Sequence, residues 1–423
     1  MHGTAFAKHQ PTPPLFGDTG RSGAASLPAG ADIAQALLAF TFNGAPSQQQ
    51  DQGGLRYIVN EFWTSGQRQA HSIHEISYRA CFKPQLPEFF IERLTHPGDT
   101  VYDPFSGRGT TAVQAALTGR RPVANDINPL SELLVRPRLD PPSHAAVRER
   151  LQTLDLTHGD RPENERDLLA FYHPATLREI CGLRSYLLAR RAHGRLDKVD
   201  DWIRMVAINR LTGHSPGFFS VYTLPPNQAV SPDSQRRINA ARAQVPPRRD
   251  VAEIILKKTR SLLADGAPPP HPPALLSTGP AAATRHLPDG SVDLVVTSPP
   301  FLNIVDYEGD NWLRCWFAGI EPKSVRIDRH TDIGAWEDFV RRTFAELARV
   351  VRRDALVAFE VGEVRGGKVL LERHVVAAIR GLPFTMLGVM VNQQEFTKTA
   401  NCWGVSNNAG GTNTNRIVLA RRD

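Results

Sequence analysis

The sequence contains little cysteine and no cysteine pair of the kind that binds zinc. Four cysteines occur in 423 residues, and none belongs to a C-x-x-C motif. They are Cys81, Cys181, Cys315 and Cys402. This spacing indicates neither a zinc site nor a disulfide framework, so we expect free thiols in a reducing compartment. His71 and His74 lack a third ligand at a suitable spacing, and we expect no metal.

Long apolar segments are also missing. No run approaches the roughly 18 apolar residues that a bilayer-spanning helix needs. The N-terminus shows no basic stretch followed by an apolar core, as a secretion signal would. The composition, 41% apolar and 22% charged, is ordinary for a globular protein. We therefore expect a cytoplasmic protein that does not bind membranes.

Acidic residues are fewer than basic ones, and the imbalance is local. The chain carries a net charge of +7, and residues 201–260 contain ten Lys or Arg against four Asp or Glu. This segment therefore accounts for +6 of the total. A basic excess confined to one segment is expected where a protein contacts a phosphate backbone.

The most informative stretch is a glycine turn at residues 103–111, DPFSGRGTT. A β-strand pattern precedes it and a helical pattern follows it. Glycines in such a turn let the backbone approach a ligand, and the helix start presents N–H groups to it. A second strand pattern, residues 122–125, ends at Asp126, 19 residues after Gly107. An acidic residue at about this distance accepts hydrogen bonds from ribose in nucleoside-binding βαβ units.

A second informative stretch lies far along the chain at residues 291–301, SVDLVVTSPPF. Here a β-branched strand runs into a serine, two prolines and a phenylalanine. The prolines end the strand, fix the backbone and remove two N–H donors, which leaves carbonyl groups that only accept hydrogen bonds. Such a loop beside an aromatic ring suits a flat base that carries an exocyclic amine.

Together the two stretches resemble the cofactor and catalytic motifs of the amino-methylating DNA methyltransferases, which use S-adenosylmethionine. The resemblance covers about residues 70–135 and 285–420. It implies an α/β fold with a doubly wound, Rossmann-like and mostly parallel sheet. Residues 384–391 and 415–420 would form a C-terminal antiparallel hairpin at the sheet edge.

The two motifs are 194 residues apart, counted from Asp103 to Thr297, so a largely helical domain is inserted between them. This order of motifs is that of the family's alpha group. We expect three parts: a flexible segment at residues 1–54, a catalytic domain at residues 55–140 and 274–423, and an inserted target-recognition domain at residues 141–273.

The resemblance assigns the cofactor to the glycine turn and the neighbouring strand ends. Thr110 and Thr111 would cap the helix start with their hydroxyls, and Asp126 with Asn128 would bind the ribose. The implied cofactor residues are Asp103, Phe105, Gly107, Gly109, Thr110, Thr111, Asp126, Asn128 and Thr297.

The adenine end of the cofactor is the exception. Family members commonly end the third strand with Gly-Asp, which holds the adenine amine. The candidate strand here, residues 275–280, has Pro280 in place of the acid. Either Ser277 or Thr278 substitutes for it, or the strand lies elsewhere.

The resemblance assigns the reaction to the proline loop. In the family the target base is flipped out of the duplex, and its amine hydrogens are held by the first polar residue and a proline carbonyl. Carried over, Ser298 and the Pro299 carbonyl are the acceptors, Pro300 sets the turn and Phe301 stacks on the base. Serine at this position is more typical of N4-cytosine than of N6-adenine members. A neutral serine is a poor general base, so positioning should supply most of the catalysis.

The insertion is the expected DNA-reading region. Residues 212–228 interleave aromatic and polar residues, and arginines follow, a mixture that can stack on bases and neutralise phosphates. The candidate DNA-binding residues are Phe219, Tyr222, Asn227, Arg236, Arg237 and Arg242. The alternative is that the aromatic side chains form the core of a small helical subdomain.

The sequence leaves three functions open and indicates no oligomeric state. The first is a cytosine-N4 methyltransferase that acts on double-stranded DNA, alone or beside a separately acting restriction endonuclease. The second is another base methyltransferase, acting on adenine N6 in DNA or on RNA, although no RNA-binding module is recognisable. The third is a non-catalytic protein that binds the cofactor and nucleic acid; the presence of both motifs argues against it.

Overall fold

The computed structural model describes residues 33–42, 44–63, 70–78, 81–224, 229–301, 307–321, 325, 330–364, 369–393 and 415–423. The helices in these ranges are α1 (Ile33–Leu38), α2 (Gln85–Leu94), α3 (Thr110–Leu117), α4 (Leu130–Leu139), α5 (His144–Thr153), α6 (Glu165–Leu168), α7 (Pro174–Ala192), α8 (Lys198–Ile208), α9 (Pro232–Ala241), α10 (Val251–Leu262), α11 (Tyr307–Ala318), α12 (Ile333–Val350) and α13 (Leu371–Ile379). The strands are β1 (Thr41–Phe42), β2 (Ala45–Pro46), β3 (Gln48–Gln52), β4 (Leu55–Asn60), β5 (Thr100–Asp103), β6 (Arg121–Asp126), β7 (Leu275–Thr278), β8 (Val292–Thr297), β9 (Val351–Val361), β10 (Glu363–Val364), β11 (Val369–Leu370), β12 (Phe384–Asn392) and β13 (Asn415–Arg422).

Nine of these strands form one sheet in the order β3-β4-β12-β13-β9-β8-β5-β6-β7. Strands β9, β8, β5, β6 and β7 pair in parallel, and β13 runs antiparallel to both of its neighbours. The chain first builds outward from β5 to β7 and then returns to place β8 on the other side of β5. Ligands bind at such a reversal of strand order in open α/β sheets. The predicted doubly wound, Rossmann-like methyltransferase fold is confirmed.

The predicted antiparallel pair of β12 and β13 is present, but it does not lie at the edge of the sheet. On its other side β12 pairs in parallel with β4, from Val389 opposite Tyr57 to Asn392 opposite Asn60. Strand β3 then extends the sheet by one more strand. The edge prediction was wrong because these two strands precede the glycine turn and no local pattern links them to β12.

Helix α1 and strand β3, which precede β4, both contact the main sheet or its apolar core. Helix α1 buries Ile33, Ala34 and Leu37 in an apolar cluster that also contains Phe62 and Phe90. Strand β3 pairs with β4, so both α1 and β3 contact the sheet from the N-terminal side of the boundary expected at residue 54. Residues 1–32 lie outside the described residues.

The insertion between β6 and β7 is helical, as expected, and contains α5 to α10. Its side chains share one apolar core with two helices outside it: Leu130 and Leu134 of α4, and Leu313 and Phe317 of α11. Strand β7 follows the insertion and pairs with β6, so the third strand lies where the sequence predicted it. The insertion is thus joined to α4 and α11 through a common apolar core. None of the described helices is both long and apolar enough to cross a membrane.

Two glycines allow the chain after α5 to cross α7 at backbone contact. A Cβ atom on Gly182 would lie 2.4 Å from the carbonyl oxygen of Leu156, and one on Gly159 would lie 2.2 Å from the backbone nitrogen of Gly182. Backbone atoms at this crossing cannot rotate away as the end of a side chain could. The close packing of the insertion therefore depends on Gly159 and Gly182.

We predict that Gly182→Ala destabilises the protein, although alanine is the better helix former by about 1 kcal/mol. The clash with the Leu156 carbonyl should cost more than this gain, because overpacking costs about 1–3 kcal/mol. The midpoint of thermal unfolding should fall by about 2–4 °C. Gly279→Ala is the matched control, since nothing lies within 4 Å of its added Cβ. An unchanged or raised midpoint for Gly182→Ala would contradict the prediction.

Candidate active site

The two motifs that are distant in sequence meet at the ends of two neighbouring strands. Strands β5 and β8 pair in parallel, with Val101 opposite Leu294. At their ends the Thr297 hydroxyl donates to Asp103 Oδ1 over 2.6 Å. In the first turn of α3, the Thr111 hydroxyl donates to the Val296 carbonyl over 3.0 Å. Because Thr297 and Asp103 are both buried, these bonds hold the glycine turn and the proline loop in a fixed relation.

Gly107 and Gly109 both have backbone angles that favour glycine. Their φ values are +52° and +78°, in the left-handed region where a Cβ is strained. Gly109 has a second constraint, because its added Cβ would lie 2.3 Å from Val135 Cγ2 of α4. The turn can therefore pass close to α4 and enter α3 only with glycine at position 109.

Thr110 and Thr111 do not cap α3, contrary to the prediction. The residue before the helix is Gly109, and no side chain caps the helix start. The Thr110 hydroxyl instead accepts from Arg108 Nε over 3.1 Å, and that of Thr111 is used on Val296. A glycine in the left-handed conformation occupies the capping position, so the hydroxyls that follow it bind elsewhere.

Two arginines that the sequence did not single out brace the turn. Arg138 is fully buried and donates to the carbonyl oxygens of Arg108, Leu134 and Ile73. Arg108 in turn donates to the carbonyl oxygens of Ile76 and Phe82 over 3.0 and 3.2 Å. Burial lowers the pKa of Arg138 to about 9. The turn is thereby tied to the segment that precedes α2.

Asp103 and Asp126 are the two carboxylates that contact the glycine turn, and burial raises the pKa of both. Asp103 accepts from Thr297 and from the Phe105 N–H, while its Oδ2 is buried without a hydrogen-bond partner among the described residues. Its pKa is raised to about 7. Asp126 accepts from the N–H groups of Gly107 and Asn128 over 2.7 and 2.8 Å, and its pKa is raised to about 6.

Three other predicted cofactor positions have structural partners of their own. The Asn128 side-chain oxygen accepts from the Leu130 N–H at the start of α4 over 3.0 Å. The Phe105 ring lies 5.5 Å from the ring of Phe339. On β7, the Ser277 hydroxyl donates to the Asn125 side chain over 2.9 Å. That hydroxyl therefore already donates its proton within the sheet.

The proline loop is anchored from outside. Trp336 Nε1 of α12 donates to the Pro300 carbonyl over 2.9 Å, whereas no hydrogen bond within the described ranges uses the carbonyl of Pro299. Pro299 is buried, and Ser298 and Phe301 are partly exposed. Phe301 packs against the apolar cluster on the α12 side of the sheet. The loop thus has a fixed backbone and keeps a polar group and a ring at its surface.

Glu360 is a site residue that the sequence analysis missed. Register places it beside the proline loop, because Phe359 of β9 pairs with Thr297. Its side chain is buried and accepts from the Ser298 hydroxyl and from Asn415 Nδ2, the latter over 2.7 Å. Burial raises the pKa of Glu360, and these two hydrogen bonds oppose the rise. Its position at a strand end was visible in the sequence, but its pairing with Ser298 depends on sheet register.

The candidate DNA-binding residues differ in burial and in the contacts that they make. Phe219 is fully buried in the core of the insertion, so its assignment as a base-stacking residue was wrong. Arg242 stacks on the Tyr222 ring at 4.0 Å. Arg236 makes ion pairs of 2.6 Å with Asp167 and Asp233.

Arg237 and Asn227 complete this predicted set. Arg237 donates to the Ser234 hydroxyl over 3.2 Å. Asn227 lies outside the described residues.

The two histidines of interest are engaged in hydrogen bonds. The His71 ring accepts from the Ile73 N–H over 3.3 Å, and His74 Nε2 lies 3.0 Å from Gln114 Oε1. Within the ranges given above, no group of three or more His, Cys, Asp or Glu could hold a metal ion.

Solved structures similar to this chain include two proteins from Thermus thermophilus. TrmN is 11% identical with a TM-score of 0.33, and the match covers 83% of this chain and 52% of that one. A putative DNA modification methylase is 20% identical with a TM-score of 0.23, and the match covers 34% of this chain and 52% of that one.

Sequence comparisons find similarity to DNA methylases. Residues 41–132 match the family model described as DNA methylase, N6_N4_Mtase. The type II methyltransferase M.BsoBI of Geobacillus stearothermophilus is 24% identical in an alignment of 299 residues, and the match covers 62% of this chain and 56% of that protein. The type II methyltransferase M.MjaII of Methanocaldococcus jannaschii is 39% identical over 72 residues, 17% of this chain and 13% of that protein. The chain thus spans about half the length of the first relative and a smaller part of the second. Residues 41–132, which include the glycine turn, are thus similar to the DNA methylases that the family model describes, and the turn meets the proline loop at one sheet edge.

Proposed function

We propose that this protein is a DNA methyltransferase that transfers a methyl group from S-adenosylmethionine to the N4 amine of a flipped cytosine in duplex DNA. The hydrogen bond between Thr297 and Asp103 is the observation that supports this most directly. It joins the turn that would hold the cofactor to the loop that would hold the base. Methyl transfer without a covalent intermediate requires chiefly this alignment of two bound groups.

The glycine turn fits a cofactor with a ribose and a charged tail. When bound, S-adenosylmethionine supplies a methyl group on a positively charged sulfur. Asp126 would accept hydrogen bonds from the ribose hydroxyls. Asp103 Oδ2 and Ser106 Oγ, both buried without partners among the described residues, are available for further polar groups. Gly107 leaves room beside the Tyr78 ring, which lies 3.6 Å from the position of an added Cβ.

Ser298 and Pro299 would hold the exocyclic amine of the base. The hydroxyl oxygen and the carbonyl oxygen each accept one amine hydrogen, which draws the nitrogen lone pair away from the ring. Trp336 fixes the next carbonyl, that of Pro300, so the loop is rigid before the base arrives. Phe301, partly exposed at the loop end, would stack on the base. Preorganised acceptors of this kind stabilise charge that develops on the nitrogen.

Glu360 would act as a positioning residue for Ser298. A Ser298 hydroxyl that donates to the Glu360 carboxylate would keep its oxygen lone pairs free to accept from an amine. The negative charge behind the hydroxyl also increases its strength as an acceptor. Asn415 holds the carboxylate in place over 2.7 Å. This explains how a neutral serine can replace an acidic residue at the first position of the loop.

The choice of cytosine as the target base rests on Ser298. The proposed role in a restriction-modification system rests on the relatives. Both curated relatives are named type II methyltransferases. We therefore infer a role in, or descent from, a restriction-modification system, with a cognate endonuclease as a separate protein. Adenine N6 is the alternative target.

Substitution at the proline loop should remove catalysis and spare the cofactor. Ser298→Ala and Glu360→Gln should each lower kcat by about 10²-fold or more, as loss of one preorganised acceptor does. The measurement is incubation with methyl-labelled cofactor and mixed-sequence duplex DNA, followed by nucleoside digestion and mass spectrometry. Cofactor affinity, measured by calorimetry, should remain within about twofold of the wild type.

Glu346→Gln is the matched control for Glu360→Gln. It also removes a hydrogen-bonded carboxylate, but one on α12 that contacts Arg349 and Thr284 rather than Ser298. N4-methylcytosine formed by the wild type and absent with both Ser298→Ala and Glu360→Gln supports the proposal. N6-methyladenine would overturn the choice of base, and full activity of Glu360→Gln would remove that residue from the mechanism.

Cofactor binding should weaken at acidic pH because of Asp126. Its pKa of about 6 in the free protein means that the carboxylate is ionised above pH 6 and protonated below it. Ribose hydroxyls bind best to the ionised form, so the Kd should rise as the pH falls from 7 to 5. Asp126→Asn should bind about 10- to 100-fold more weakly at pH 8, and its remaining pH dependence should lie near pH 7, where Asp103 titrates. Asp140→Asn, an exposed carboxylate after α4, should behave as the wild type. If Asp126→Asn kept the wild-type pH profile, the assignment of Asp126 to the ribose would be contradicted.

A further inference from the structure

A strongly basic cavity lies in the insertion, away from the candidate DNA-binding residues of α9. It has a volume of about 480 Å³ and is formed where the chain after α8 faces the start of α10. Five basic and two acidic side chains line it, together with small and apolar residues. The charged residues are Arg210, Arg248, Arg249, Asp250, Glu253, Lys257 and Lys258. These five cations are half of the ten in residues 201–260.

Arg210 is the deepest of these cations and makes no salt bridge with any described residue. Its side chain is buried, its Nε donates to the Asn209 carbonyl over 2.8 Å, and its guanidinium stacks 4.0 Å from the centre of the Phe218 ring. Burial and the nearby Arg314 lower its pKa to about 10. A buried cation without a carboxylate partner is costly. An anion in the cavity would offset that cost.

Two further cations of the cavity remain available. Arg249 is fixed by its backbone, which exchanges hydrogen bonds of 2.7 and 2.9 Å with the Thr176 hydroxyl. Its Nε is buried without a hydrogen-bond partner among the described residues. Lys257 is exposed, and no salt bridge within the described ranges involves it.

Three of the other charged residues of the cavity already have partners. Arg248 pairs with Glu179 over 2.6 Å, and Lys258 with Glu75 over 3.4 Å. The Asp250 carboxylate caps α10 by accepting from the Glu253 N–H over 2.8 Å. The cavity therefore keeps an excess of positive charge after its internal pairs are counted.

The cavity is connected to the active site through the segment before α2. Lys258 pairs with Glu75 of that segment, and the Ser77 carbonyl, two residues further along, accepts from Arg314 over 3.0 Å. Tyr78 then lies against Gly107 of the glycine turn. An anion bound in the cavity would thus lie beside the segment that contacts the glycine turn.

We propose that this cavity binds a phosphodiester group of the substrate DNA and anchors the duplex beside the active site. The inference rests on the proposed function, since it takes DNA as the substrate. The interaction would be independent of sequence, because a phosphate carries no base information. Arg210, Arg249 and Lys257 would supply the cationic donors.

The experiment measures duplex binding in the absence of cofactor as a function of salt concentration. The double variant Arg249→Gln/Lys257→Gln should bind about tenfold more weakly or worse. The slope of log K against log salt should become shallower by about 1 for each phosphate that the variant no longer neutralises. The reduction should be equal for methylatable and unrelated duplexes. Arg352→Gln/Arg353→Gln is the matched control, because it removes the same charge from two exposed positions at the start of β9 and should keep the wild-type slope.

The outcomes separate this proposal from the proposed function. Wild-type protein that methylates DNA, with a cavity variant that binds with wild-type affinity and slope, overturns the cavity site alone. Wild-type protein that neither binds nor methylates DNA overturns the proposed function. Tight binding of inorganic phosphate, with an unchanged DNA slope in the variant, would assign the cavity to a free anion and overturn the proposal. Lys257→Arg, which keeps the charge, should retain the wild-type slope, and equal melting temperatures confirm that the variants fold.

Discussion

The arrangement of the site depends on one buried hydrogen bond, from the Thr297 hydroxyl to Asp103. It joins the end of β8 to the end of β5, where the strand order reverses. It therefore fixes the position of the proline loop relative to the glycine turn. Because burial raises the pKa of Asp103 to about 7, the bond also supplies part of the stabilisation that lets this carboxylate remain ionised near neutrality. Its strength and its exclusion from water make the junction rigid. Glu360 extends the junction by one strand, since it contacts Ser298 directly after Thr297.

The parts of this fold that were predictable from the sequence are those that depend on short-range order. The glycine turn is framed by a strand and a helix within 18 residues, and both formed at the predicted positions as β5 and α3. Strand β7 was also placed correctly despite the long insertion, because a short apolar run after a proline-rich stretch has few other structures available. The assignment of roles to Ser298 and Asp126 depended on resemblance, and those roles remain predictions.

The errors share a physical cause, which is that a side chain's partner is set by tertiary contacts. Thr110 and Thr111 have the residue type of helix caps, but a left-handed Gly109 takes the capping position and their hydroxyls bind Arg108 and Val296. Phe219 stands in a polar loop, yet its ring is fully buried. The position of β12 inside the sheet required β4, which pairs with it across more than 300 residues of sequence.

The insertion is joined to the glycine turn through the segment at residues 71–78. At the end of α10, Ser72 exchanges hydrogen bonds with Asp265 over 2.8 and 3.1 Å, and its hydroxyl donates to the Leu262 carbonyl. Inside the insertion, the fully buried Asp200 is neutralised by Arg150 and Arg190, a pairing whose removal would leave an unpaired buried charge. Helix α10 packs in the core of the insertion, and its last residue, Leu262, is hydrogen-bonded to Ser72. A movement of α10 would therefore also move the segment at residues 71–78. Since that segment carries Tyr78 against the glycine turn, the proposed contact of the insertion with DNA would also act on the shape of the glycine turn.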